Sequence, residues 1–164
     1  MFSKDNTEIA RKKFFDHFKE MTGKEVQSVE FATLTAYRRV FEAFELEPPP
    51  GQNELAGLLV FCEDALYFYV FPTDNILRLA IQRMAGDMDN KEQCFCLSNL
   101  SDAKLSHSKR KSFRFLFPKQ SRTIYVSAKY KEEAADFSLS LMKDASSLLE
   151  KISALLPHSA QISV

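Results

Sequence analysis

Between residues 101 and 131 the chain carries nine cations, Lys104, Lys109, Arg110, Lys111, Arg114, Lys119, Arg122, Lys129 and Lys131, against the single anion Asp102. Residues 40 to 77 have the opposite sign, with Glu42, Glu45, Glu47, Glu54, Glu63, Asp64 and Asp74 and no Lys or Arg. The formal net charge of zero hides this division. Clustered ammonium and guanidinium groups bind anions, so Lys109, Arg110, Lys111 and Arg114 are the candidate anion-binding residues, facing an anionic membrane surface or an acidic protein. The competing reading is a solvated sheet face whose cations pair across strands with the acidic segment. Nucleic acid fits less well. Ser108 to Ser112 with Phe113 and Phe115 interleaves cations and rings as single-strand binders do, but a neutral chain with a large acidic segment lacks the basic excess that phosphate neutralisation draws on.

The other reactive side chains form no catalytic pattern. His17, His107 and His158 fall in an amino-terminal helix, a basic loop and a terminal tail. Ser106-His107-Ser108 is adjacency without the orienting carboxylate of a triad. There is no G-x-S-x-G, H-E-x-x-H or P-loop, and the glycines at 23, 51, 57 and 86 are too scattered to cradle a phosphate. The sequence therefore predicts a non-enzyme without a cofactor. Cys94 and Cys96 are two apart on one strand face, yet no second Cys pair completes a structural zinc site. Together with Cys62 they make an odd number inside apolar runs, which predicts reduced core thiols and a cytoplasmic protein. The charged first fifteen residues hold no apolar run, so no secretory leader is expected, and no apolar stretch is long enough to span a bilayer.

The 164 residues, 45% hydrophobic with 15 Phe, suffice for one core without staples. A helix is predicted from about Asn6 to Thr22, with Asp5 as N-cap, Glu8 as capping-box partner and Gly23 as the stop. Its stripe is Ala10, Phe14, Phe18 and Met21, with His17 beside it. Residues 26 to 47 fit both periods: Val29, Phe31, Thr33 and Thr35 alternate, while Leu34, Tyr37, Phe41 and Phe44 share a helical face. Strand is preferred for the β-branched and aromatic content. Leu58 to Cys62 and Ala65 to Phe71 form a hairpin about Glu63-Asp64. The run 76–84 fits either helix or strand. Further strands are expected from Gln93 towards Leu105, over Ser112 to Phe117 and over Thr123 to Ala128. At Lys131 the period changes: Ala135, Leu139, Met142, Leu148, Leu149, Ile152 and Leu156 recur mostly at threes and fours. This predicts one long helix ending at Pro157, with Leu139, Met142 and Leu149 against the sheet.

This order resembles a pleckstrin-homology-like domain of the GRAM type over about residues 55–155. The residues that carry the resemblance are Gly57-Leu58-Leu59-Val60-Phe61 turning into Ala65-Leu66-Tyr67-Phe68, then Leu97-Ser98-Asn99-Leu100-Ser101-Asp102-Ala103-Lys104-Leu105, then Ser112-Phe113-Arg114-Phe115, then a long amphipathic helix. The resemblance implies an α+β fold, an antiparallel, partly closed barrel of about seven strands capped by a carboxy-terminal helix. An amino-terminal helix over 1–24 would pack on a domain of residues 25–156, leaving 157–164 as a tail. It also implies a non-enzymatic binding or scaffolding module, with a protein partner or an anionic membrane surface engaged through residues 104–122. The alternative is a protein-interaction module with no lipid or polyanion ligand. The Lys and Arg motif of inositol-lipid binders is missing from the first strands, where only Arg38-Arg39 occurs, so that specificity does not transfer.

Overall fold

In the first strand Ala32, Leu34 and Ala36 face inward and are buried, while Phe31, Thr33 and Thr35 face out. The same period of two governs most of the chain, as antiparallel sheet with unlike faces requires. The computed structural model describes residues 4–70, 92–107 and 122–157. Its elements are helix α1 (Lys4–Thr22), strand β1 (Val26–Ala36), helix α2 (Arg38–Ala43), β2 (Glu54–Cys62), β3 (Leu66–Val70), β4 (Gln93–Cys96), a 3₁₀ turn (Leu97–Asn99), β5 (Ser101–His107), β6 (Thr123–Tyr130), β7 (Glu133–Leu141) and helix α3 (Ala145–Leu155). The strands form one seven-stranded antiparallel sheet in the order β4-β3-β2-β1-β7-β6-β5.

The sheet is curled. β4 and β6 stand far apart in the strand order, yet the Phe95 and Tyr130 rings lie 5.1 Å apart edge to face. Phe44, just after α2, stacks on Phe95 at 3.9 Å and meets Tyr130 and Phe137 edge-on. Such ring geometry follows from the aromatic quadrupole and ties the two ends of the sheet around one core. Ser98 adds a polar tie: its Oγ accepts from the Leu66 N–H at 2.9 Å and donates to the Leu155 carbonyl at 2.7 Å, joining β3 to α3.

Several expectations are corrected. The long helix from Lys131 does not form, because residues 133–141 are β7 and helix begins only at Ala145. Ala135, Phe137, Leu139 and Leu141 are buried and alternate with Ala134, Asp136, Ser138 and Ser140, so period two prevails over the coincident threes and fours. Leu139 is buried as expected but from a strand, whereas Met142 is 69% exposed. Lys131 and Glu132 both have positive φ, 49° and 67°, and close a two-residue β6–β7 hairpin without the usual Gly or Asn. The α3 N-cap is Asp144, whose side chain accepts from the Ser146 N–H.

Residues 26–47 split: strand to Ala36, then α2, which buries Val40 and Phe41. The run from Gln93 to Leu105 is broken by the 3₁₀ turn. α1 starts at Lys4, so Asp5 lies inside the helix and not at its cap. Gly23 ends it as expected, with φ 73° and its N–H on the Lys19 carbonyl at 2.8 Å. The expectations for 76–84, for Ser112 to Phe117 and for the tail after Pro157 lie outside the described residues.

Gly57, opposite Ala32 on β1, is set by close approach. A Cβ there would stand 2.5 Å from the Tyr69 carbonyl oxygen and 2.9 Å from the Phe68 ring. Backbone cannot yield cheaply, so Gly57→Ala is expected to destabilise the protein by about 1 to 3 kcal/mol as an overpacking change. An unchanged midpoint in urea would show that β2 and β3 are less closely apposed.

Candidate functional site

The two faces of the sheet are finished differently. On its outer face, β2, β3 and β4 present Leu58, Val60, Cys62, Tyr67, Tyr69, Cys94 and Cys96, and α1 covers them with Phe14 and Phe18. These thiols are free and buried or half-buried, consistent with core cysteines. Burial pushes Cys62 up to about 11 and Cys94 to about 12, so neither is a thiolate near neutrality. Among the described residues no three His, Cys, Asp or Glu side chains are grouped to hold a metal ion.

His17 fastens the helix at this covered half. Its Nε2 lies 2.7 and 2.9 Å from the two Glu92 carboxylate oxygens, and Glu92 also bonds the Tyr69 hydroxyl. Burial, then the nearby carboxylate, pushes Tyr69 up to about 12. The Glu92 bond and charge raise the His17 imidazole above its ordinary 6.5. A raised folded-state value means that this contribution to α1 docking is fully present below the unfolded value and is lost as pH rises through the folded one. The pair is half-exposed and its effect correspondingly small. Amide exchange in α1 is expected to quicken modestly as pH rises through that window, after correction for intrinsic rates, and His17→Gln should flatten the dependence. A pH-independent parent would remove His17 from the docking contact.

The other half of the outer face is uncovered by α1 and polar. β6 turns Ile124, Val126 and Ala128 inward and Thr123, Tyr125 and Ser127 outward, while β7 turns out Asp136, Ser138 and Ser140. Register aligns Ser106 of β5, Tyr125, Ser138 and Thr35 of β1 in one row across four strands. The next row holds Lys104, Ser127 and Asp136, and Ser127 Oγ donates to Asp136 Oδ1 at 2.7 Å. With Tyr37 and Asn53 at the end of β1, these residues line a groove of about 860 Å³. The alternation in β6 is legible in the sequence but this face is not, because the threes and fours from Ala135 to Leu156 mimic a helix where β7 stands.

Lys109, Arg110, Lys111 and Arg114 lie outside the described residues, as does Lys119. Of the remaining cations in the basic stretch, Lys104 stands exposed on the groove and Arg122 is exposed just before β6. Lys129 pairs with Asp102 at 3.0 Å, and Lys131 stands over the Tyr130 ring at 5.1 Å. His107, expected in a loop, is the last residue of β5 opposite Ile124, and His158 lies outside the described residues. No described helix is long and apolar enough to cross a membrane.

No family model matches the chain, and no curated protein matches it. A solved structure, "The hSac2 domain from human phosphoinositide phosphatase Sac2", is similar at 16% identity and a TM-score of 0.46, covering 99% of this chain and 90% of that one. Similarity at that level assigns neither fold family nor activity.

Proposed function

We propose that the chain is a non-enzymatic binding module of the pleckstrin-homology-like kind, meeting anionic phospholipid headgroups through the basic stretch of residues 104–122. The carrying observation is the strand order. The described acidic residues run from α2 through β2 to the β2–β3 turn, whereas the described ends of the basic stretch lie on β5 and just before β6, with β1 and β7 between them in the strand order. Cross-strand neutralisation between them would demand neighbouring strands. Among the described residues no ion pair joins the two segments: Glu42 pairs with Arg38, Asp64 with Lys24, and Lys129 with Asp102, both within residues 101–131. The sequence excess of eight cations over anions in residues 101–131 would attract an anionic surface within about a Debye length.

The test is co-sedimentation with phosphatidylserine-containing and pure phosphatidylcholine vesicles at low and moderate salt. Binding is expected only with the anionic vesicles, falling as salt rises. Changing Lys109, Arg110 and Lys111 together to Ser should weaken it roughly a hundredfold, at about 1 kcal/mol per cation. Equal binding to both vesicles, or none to either, would overturn the lipid reading in favour of a protein partner.

A further inference from the structure

We infer that the groove on the outer face of β1, β7, β6 and β5 is a binding site for a neutral saccharide. This goes beyond the anionic-surface reading and shares with its basic stretch only the β5 end, Lys104 to Ser106. Charge selects the ligand first. Among the described residues the groove holds one cation, Lys104, and one anion, Asp136, on the same cross-strand row, so an anionic ligand loses at Asp136 what it gains at Lys104. A neutral ligand uses both, one as donor and one as acceptor.

The Asp136 carboxylate is oriented, because Ser127 occupies Oδ1 and leaves Oδ2 open to accept from a ligand hydroxyl. Beside it, Ser138 and Ser106 flank Tyr125 in the adjoining row and supply hydroxyls that donate or accept as a polyol requires. The Tyr125 ring is 49% exposed and offers a flat apolar platform for the C–H face of a pyranose ring. Ala36, Leu105, Val126 and Phe137 also line the groove, so apolar contact contributes to binding beside the polar groups. The volume of about 860 Å³ is that of a small-molecule site and accommodates a short oligosaccharide.

Saturation-transfer NMR on the full chain tests this, with glucose, N-acetylglucosamine, maltotriose and chitotriose as neutral probes and glucuronate and glucose 6-phosphate as anionic ones. At least one neutral probe should receive saturation. Tyr125→Ala and the isosteric Asp136→Asn should each weaken its binding by about tenfold or more, with the melting midpoint confirming that both variants are folded. The Lys109, Arg110 and Lys111 triple Ser variant, which tests the lipid reading, should leave the saturation unchanged, so the two readings fail separately. No transfer to any neutral probe, transfer to the anionic probes alone, or undiminished transfer in either groove variant would overturn the inference.

Discussion

Leu139→Ala is expected to cost roughly 2 to 5 kcal/mol, the range for emptying a fully buried leucine site. Leu139 is 0% exposed in β7 and stands in register with Leu34 of β1 on one side and Ile124 of β6 on the other, both also fully buried. Three aliphatic side chains therefore form one inward row across the middle of the sheet. Backbone pairing on both flanks limits how far the site can collapse, which favours the upper part of the range. Met142→Ala is the paired control. The helical reading of 131–156 buries both residues and predicts two large losses, whereas the observed strand buries Leu139 and exposes Met142. Within about 0.5 kcal/mol of the parent is the expectation for Met142→Ala. Urea unfolding of the two variants measures this, and equal losses would contradict the strand.

The contrast shows which local signals were legible. The β2–β3 hairpin was readable because apolar residues run unbroken to Cys62 and resume at Ala65, and the Cys62 N–H indeed donates to the Ala65 carbonyl across Glu63-Asp64. Gly23 was readable because a positive φ at a helix end favours glycine. The β6–β7 turn was not, since Lys131 and Glu132 adopt left-handed backbone conformations that their residue types do not advertise. Without that turn, Ala135, Leu139 and Met142 were spaced at fours and threes and joined to Leu149 and Ile152 beyond. The Asp144 N-cap, followed by Ser146 and Ser147, was the signal that would have separated strand from helix: Ser147 Oγ bonds the Asp144 carbonyl, and the Ser146 N–H bonds the Asp144 side chain. The cost fell on the candidate site. A groove made of residues from four strands becomes visible only when β7 is placed between β1 and β6.

The covered half of the outer face should behave as a separable unit, and Phe18→Ala is the change that exposes it. Phe18 is 0% exposed, with its ring 5.3 Å from Tyr67, 6.2 Å from Tyr69 and 5.9 Å from Phe14. It is the most deeply buried anchor of α1, and Phe14 is only half-buried. Phe→Ala at such a site costs about 3 to 5 kcal/mol. Because α1 belongs to the smaller cluster and the curled sheet closes around another core, much of that cost can be relieved by undocking the helix locally, without unfolding the sheet. The thiols report the difference. Cys62 and Cys94 are held protonated by burial, so releasing α1 should let their pKa values fall towards the ordinary 9.0 and open them to attack. Phe18→Ala is therefore expected to raise the rate at which an aromatic disulfide reagent modifies these cysteines at neutral pH by a factor of ten or more, roughly 1.4 kcal/mol of easier opening. Exchange protection in β1, β6 and β7 should remain. Loss of protection throughout the sheet would mean that the two clusters unfold together, and unchanged thiol reactivity would mean that Phe18 does not hold the helix in place.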